Sequence, residues 1–549
     1  MAPTDAEFRA AMRAHGERVE RYRHGDLTDD QFRPIRLSYG LYYQLDHTSH
    51  MQRIKLPGGL MTAAQAECLA DLTDEMGRGI AHITTRQDIQ LHWIELGKII
   101  DIYERLHAVG ITTRGACADS VRNITGCIHA GTWPSEPFDV TPHLLATHDY
   151  FLFHPLNLTQ PRKFKIAFSG CDSDCAQGPI NDLAFFARVR NGQPGFAVYA
   201  GGGLAAQPYL AQKIWDFIPA ENTLLAAETV VRFQHRYGER KNRHKARLKY
   251  VFKKWGVPKV IEELQREYDR VESQMGDRLR RELRESVAAA RQPEPANPPA
   301  ALKTANDPTF EHWTRTNTYA QRQNGYYGCT AQLPLGDLSG AQLRALAAVS
   351  RAHGNGVLRA SNDQNIMIPW VAGDHVRAVY DELVRLNLAA ADALHITDVT
   401  SCPGADYCSL AMSRSMGVAA AIQAHLQATN GEVEQLGVFR IKISGCPNSC
   451  GQHHIGDIGL TGMTLKGDDG HEHPHYSILV GGSVGESTAA VGHRVSGRFP
   501  VDEAPKVVAA LAAAYGRERT RGERFPDFVQ RVGMTRINEL ARGAAAVVH

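Results

Sequence analysis

The sequence predicts a mixed α/β protein, of the α+β kind, made of two copies of one plan. Three observations carry that reading. Short apolar runs alternate with amphipathic stretches, the order of segments recurs at a near-constant offset, and a proline-rich stretch lies between the two occurrences. Ile89-Gln-Leu-His-Trp-Ile94 and Phe439-Arg-Ile-Lys-Ile443 have the length and content of strands, whereas Ala64 to Met76 and Leu343 to Ala352 place apolar residues at helical spacing.

In chain order, Leu56-Pro57-Gly58 and the helix start Ala63-Ala64-Gln65 recur 277 residues later as Leu333-Pro334-Leu335 and Gly340-Ala341-Gln342. The stretch from Ile83 to Trp93 recurs at the same offset from Ala360 to Trp370. Ile166 to Cys175 recurs 275 residues on, from Ile441 to Cys450, and Gln177, Ile180 and Asp182 continue onto Gln452, Ile455 and Asp457. Tyr237-Gly238 nearly keeps step with Tyr515-Gly516. An offset held so closely over most of the chain requires a duplication. The copies join through Arg291-Gln-Pro-Glu-Pro-Ala-Asn-Pro-Pro-Ala300, a poorly packable linker.

At 549 residues the chain exceeds what one core can organise, and about three domains are expected. Hydrophobic content of 43% and charged content of 22% are those of an ordinary globular protein, so disorder is expected only at the ends and the linker. Ten cysteines, several clustered, point to a reducing compartment, with the cytoplasm as the default. The N-terminus lacks an apolar core segment and no run of eighteen apolar residues occurs, so neither an export signal nor a membrane span is expected.

Four cysteines carry the chemistry. Cys402, Cys408, Cys446 and Cys450 form a C-x5-C…C-x3-C pattern, with small residues such as Gly404, Ala405, Gly445 and Gly451 letting backbone amides approach inorganic sulfur. Four thiolates from two loops fit a [4Fe–4S] cube. Zinc, which more often takes a tighter C-x2-C pair, and inert buried thiols are the other readings of these residues.

The copies divide the labour. Cys127, Cys171 and Cys175 match Cys402, Cys446 and Cys450, but Trp133 stands where Cys408 would be, leaving three thiols of an incomplete cage. These three are expected to be buried relics of the duplication. Conversely, Arg53, Arg86, Arg122 and Lys163 face Thr330, Asp363, Thr397 and Val438 in the second copy. A lone cation is usually a solvated surface group, but four that vanish together mark an anion site.

These residues resemble the siroheme-containing sulfite and nitrite reductases, most closely the single-chain assimilatory sulfite reductase hemoproteins. The resemblance spans essentially the whole chain. It rests on Arg53-x-Lys-Leu-Pro-Gly-Gly59, Thr85-Arg-Gln-Asp-Ile-Gln-Leu-His92, Arg122-Asn123, Pro161-Arg-Lys-Phe-Lys165, Gly201-Gly-Gly-Leu204, the basic segment Arg240 to Lys249 and the four cysteines. It implies a pseudo-two-fold pair of ferredoxin-like halves plus two α/β domains that enclose siroheme beside the [4Fe–4S] cluster. The expected divisions are an N-terminal extension at 1–35, half A at 36–115 paired with half B at 314–395, an α/β domain with the anion-binding residues at 116–290, a linker at 291–313, and an α/β domain with the cluster cysteines at 396–549.

By the same resemblance, Cys402, Cys408, Cys446 and Cys450 hold the cluster and Cys450 also bridges to siroheme, with Asn448 beside it. Arg53, Arg122, Lys163 and Lys165 hold the oxyanion: arginines offer permanent forked charge, and a lysine in a cation-rich pocket can relay a proton. Arg86, Gln90 and His92, with Lys241, Arg243 and Lys245, are candidates for the acidic rim of siroheme. The implied reaction is the six-electron reduction of sulfite to sulfide, the alternative being ferredoxin-dependent reduction of nitrite to ammonia. Lys165 favours sulfite, since nitrite enzymes of this family place asparagine there.

No dinucleotide or flavin motif is present, so a separate donor, ferredoxin or a flavoprotein subunit, is expected. A nucleic-acid-binding role would rest on the ten Lys and Arg between Arg232 and Lys254, but the net charge is only +2 and no recognition motif accompanies them. A non-catalytic Fe–S electron carrier would leave the cations of the first copy without a purpose. His471, His473 and His475 are expected in a solvated loop.

Overall fold

The computed structural model describes residues 4–290, 300–302, 306–428 and 436–545, so the proline-rich stretch at 291–299 lies outside the described residues. The strands of the first copy are β1 (Leu41–Tyr43), β2 (His50–Ile54), β3 (Leu60–Thr62), β4 (Ile80–Ile83), β5 (Ile89–Ile94), β6 (Thr125–Gly126), β7 (Ile166–Ser169), β8 (Leu183–Arg190), β9 (Gln193–Ala200) and β10 (Gln212–Pro219). Those of the second are β11 (Thr318–Ala320), β12 (Tyr326–Ala331), β13 (Asp337–Ser339), β14 (Val357–Ala360), β15 (Ile366–Ala372), β16 (Thr400–Ser401), β17 (Ile441–Ser444), β18 (Ile458–Lys466), β19 (Glu472–Val480), β20 (His493–Arg494) and β21 (Phe499–Pro500).

The two smaller sheets exchange strands. One runs β1-β2-β5-β4 and is completed by β13, the other runs β11-β12-β15-β14 and is completed by β3. Asp337 to Ser339 pair antiparallel with His82 to Ile80, and Val357 to Arg359 pair with Thr62 to Leu60. The chain reaches across because Pro57-Gly58-Gly59 turns sharply, with φ of 63° at Gly58 and 74° at Gly59. A Cβ on Gly59 would lie 2.1 Å from the Ala360 carbonyl oxygen, so the two copies touch backbone to backbone there.

Each exchanged strand leads into a helix closed by a capping box, Thr62 with Gln65 before Ala63–Met76 and Ser339 with Gln342 before Gly340–His353. These helices pack together, and Leu69, Leu72, Ile83 and Leu91 share one core with Leu343, Leu346, Leu358 and Ile368. The N-terminal helix Asp5–Arg23 adds Phe8 and Met12 to it. The helix Pro308–Asn317 starts inside the segment expected as linker, because the Asp307 side chain caps it and Phe310 and Trp313 are buried in the same core.

The two larger sheets repeat one topology. β6, β7 and β8 are parallel with β9 and β10 added antiparallel; β16, β17 and β18 are parallel with β19 added antiparallel and β20 and β21 on it. Helices Thr223–Tyr237 and Val257–Ala290 cover the first through Val230, Phe233, Val260 and Leu264, and helices Ser415–Gln427, Ala504–Glu518 and Phe525–Ala544 cover the second. His473 and His475 lie on β19 of a long hairpin rather than in a loop. The duplication persists in strained backbone: Gln87 and Gln364, Trp93 and Trp370, and Gln177 and Gln452 all keep positive φ in both copies. Among the described residues no helix is long and apolar enough to cross a membrane.

Candidate active site

The cations of the first copy are gathered by four neighbouring segments. Arg53 lies on β2 opposite Gln90 of β5, and its Nη1 donates to Asp88 Oδ2 at 3.1 Å. Arg122 precedes β6; its backbone N–H donates to the Phe164 carbonyl, which lays it alongside the segment carrying Lys163 and Lys165. Phe164 is buried in the sheet core, so the two lysines flanking it point to the other side. The Arg122 guanidinium is oriented by the carbonyls of Ala116 at 3.2 Å and Ala118 at 2.7 Å. Arg86 sits in the turn before β5, donating to Asn181 Oδ1 at 3.0 Å and the Asn123 carbonyl at 2.6 Å.

Burial, and after it the crowding of like charge, sets the proton affinities. Burial, then Arg122 and Arg247, pull the Lys163 ammonium down to about 7. Burial, then Arg86 and Lys163, hold Lys165 well below the usual lysine range.

Three further cations join this group that sequence reasoning did not single out. Lys55 is buried and pulled down to about 8 by that burial. Arg247 forks onto Asp182, with Nε to Oδ1 at 3.1 Å and Nη2 to Oδ2 at 2.6 Å, while Asp182 also accepts the Lys165 N–H. Lys249 Nζ is buried against the carbonyls of Gly203 and Leu204. Of the rim candidates in the same basic run, Lys241 and Lys245 are exposed, and Arg243 pairs with Asp119 at 2.5 Å on the surface. The structure does not bring these three to the cation group.

The four cysteines of the C-x5-C…C-x3-C pattern end the parallel strands of the second copy. Cys402 follows β16, Cys408 lies on the next turn, and Cys446 and Cys450 lie in the loop after β17. The Gly445 N–H points at Cys402 Sγ at 3.3 Å, and Asn448 directs both its backbone and side chain at Cys446. Burial, reinforced by the charge of Cys450, pushes Cys402 and Cys408 up to about 11. Cys402 and Cys446 are buried, Cys408 is partly so, and Cys450 is exposed. Among the described residues, the three-thiol group whose Sγ atoms all lie within 4.8 Å is Cys127, Cys171 and Cys175 of the other copy.

Two hydrogen bonds join the halves of the site. Thr85 Oγ1 donates to the Cys450 carbonyl at 2.6 Å, and Gln452 Nε2 donates to the Thr85 carbonyl at 3.0 Å. The turn bearing Arg86 is thereby strapped to the Cys450 loop, and Lys163 and Lys165 both feel the Cys450 charge. At the symmetry-related position Asp363, the counterpart of Arg86, is locked to buried Lys442 at 2.7 Å. His92 is buried against Tyr407 of the loop between Cys402 and Cys408, ring centroids 4.6 Å apart, and burial drives it down to about 3. It is a neutral packing partner of that loop, not a member of the cation group. The donors Arg53 Nε and Arg86 Nε are buried without partners, which suits a bound polyacid such as siroheme.

Comparison with known proteins agrees with this geometry. A family described as "Nitrite and sulphite reductase 4Fe-4S domain" matches residues 117–271 and 393–546, and "Nitrite/Sulfite reductase ferredoxin-like half domain" matches 43–109 and 319–386. The chain is 30% identical over 509 residues to an assimilatory ferredoxin-dependent nitrite reductase of Haloferax mediterranei, covering 89% of this chain and 83% of that one. It is 29% identical over 506 residues to a sulfite reductase [ferredoxin] of Mycobacterium tuberculosis, with the same coverage. The solved structure of Mycobacterium tuberculosis NirA superposes with a TM-score of 0.80 at 25% identity, covering 95% of this chain and 94% of that one. With both pairs of matched domains in place, four thiols at the ends of the second copy's parallel strands and cations strapped against them, the chain belongs to the nitrite and sulfite reductase family, an oxidoreductase whose cofactors are siroheme and a [4Fe–4S] cluster.

Proposed function

We propose that this chain reduces sulfite to sulfide, drawing six electrons singly from an external ferredoxin. The observation that supports it is the strap between Thr85 and Cys450, which faces the cations of one copy with the thiols of the other. In this reading Cys402, Cys408, Cys446 and Cys450 hold the cluster, and exposed Cys450 is the thiolate shared with siroheme. Arg86, Lys55, Arg247 and Lys249 hold acidic side chains of siroheme, with Gln90 beside Arg53 as a further polar contact. When bound, the paired cofactors supply the electrons and the iron that takes the oxyanion.

The protein supplies charge and protons. Arg53 and Arg122 bind the oxyanion with permanent charge: the first is held by Asp88, the second by loop carbonyls, so neither must reorganise during turnover. Each oxygen leaves as water, so protons must reach one place repeatedly. Lys163, poised near neutrality, gives a proton and regains it from solvent, and Lys165 adds a second ammonium when the anion's charge restores its proton. Doubly charged sulfite suits this dense cation set.

The second reading is nitrite reduction to ammonia on the same residues, favoured by the likeness to the Haloferax mediterranei protein. Purified holoenzyme assayed with one artificial electron donor separates them: kcat/KM for sulfite is expected to exceed that for nitrite. A tenfold preference for nitrite would reverse the assignment.

A further inference from the structure

The first copy's three leftover thiols are packed far more tightly than a vestige requires. Cys175 Sγ lies 3.0 Å from Cys127 Sγ and 3.3 Å from Cys171 Sγ, in loops that follow β6 and β7. A tetrahedral ion with bonds of about 2.3 Å spaces its thiolates about 3.8 Å apart, so a small outward relaxation admits one ion but not a cube. The Cys175 N–H points at Cys171 Sγ at 3.4 Å and the Ser173 hydroxyl lies 3.2 Å from it, donors of the kind that support a bound thiolate.

A candidate fourth ligand stands beside the three thiols, although its ring nitrogens lie outside the 4.8 Å group they form and must turn toward them to bind. His129 follows Cys127 by two residues, lies within electrostatic reach of Cys171, and keeps its Nδ1 buried without a partner. Its ring packs at 4.8 Å on Trp133, the residue that replaced the fourth cysteine, and Trp133 is pinned by Nε1 donating to Asp172 Oδ1 at 3.1 Å. Arg359, buried at the end of β14, donates to the carbonyls of Ile128 and Ala130 on either side of His129 and supplies a countercharge.

We propose that Cys127, Cys171, Cys175 and His129 bind one zinc ion, a Cys3His site in the place where the symmetry-related copy holds its cluster. Binding releases the thiol protons to solvent and moves no electrons. Zinc has no redox chemistry, so the position is filled without offering a second sink to electrons arriving at the cluster. It also fixes a docking seam, because Asn362 of the other half donates to the Cys175 carbonyl at 3.0 Å, the counterpart of the bond from Thr85 to Cys450.

The test is metal analysis of the intact holoenzyme grown with zinc supplied. About one zinc and about five irons per chain are expected, with X-ray absorption at the zinc edge showing three sulfurs near 2.3 Å and one nitrogen near 2.0 Å. Cys171→Ser should lower zinc at least tenfold while iron and the visible spectrum stay unchanged, and His129→Ala should remove the nitrogen scatterer. Eight or nine irons, zinc retained in Cys171→Ser, or a zinc-free wild type with these thiols free or joined as a disulfide would each overturn the proposal. If Cys171→Ser does not fold, the wild-type zinc-edge spectrum still decides.

Discussion

A lysine poised at neutrality does what an arginine cannot. Burial first, then the neighbouring Arg122, Arg247 and Arg162, opposed by the charge of Cys450, hold the proton affinity of Lys163 near the pH at which it must act. Arg122→Ala and Lys163→Ala should each lower kcat/KM about a hundredfold with the cofactor spectrum intact, the scale for losing one preorganised charge partner. Lys163→Arg should keep KM but lose kcat, since guanidinium binds an anion without giving up a proton. Because the free ammonium deprotonates as pH rises through about 7, KM for the oxyanion should climb above that pH in the wild type and stay flat in Lys163→Arg. Lys165→Asn should move the ratio of specificity constants toward nitrite; an unchanged ratio would remove Lys165 as the discriminator. Arg53, Arg122 and Lys163 were legible because the second copy lacks them. Arg247 and Lys249 were not, since a run of ten cations reads as one feature until the chain turns inward at Ala246.

At the scale of elements, the turn before β3 bears a close backbone approach between the copies. Gly59→Ala must place a Cβ against the Ala360 carbonyl and hold a left-handed φ, which should cost about 2–5 kcal/mol and lower the thermal midpoint. An unchanged midpoint would mean the crossing is loosely held. The helices after β3 and β13 were legible from apolar spacing and a shared offset, because capping and amphipathicity are local. The exchange itself was not: Leu60-Met-Thr62 and Asp337-Leu-Ser339 are three residues each, and their partners are chosen by contacts hundreds of residues away. The histidine-rich stretch misled for a similar reason, since glycines and aspartates at a hairpin tip resemble those of a free loop.

Over the whole molecule, neither copy completes its own smaller sheet or the core behind it. Residues 1–290 and 301–549 expressed separately should be insoluble, and expressed together should co-elute as one complex; a native-like spectrum from either piece alone would contradict the shared core. Cys450→Ser in the full chain should lose the cluster and change the visible bands of the haem, whereas unchanged bands would remove Cys450 from the shared position. The exchange of β3 and β13 is the geometry of two subunits embracing about a two-fold axis, here tied end to end. In a dimer of identical chains every substitution is made twice, so an arginine gained at one centre is gained at both. Once the subunits were fused, Arg86 and Asp363 descended from one ancestral position yet were free to take opposite charges. The covalent tie made asymmetry heritable, and a single reactive centre in a symmetric shell is its lasting product.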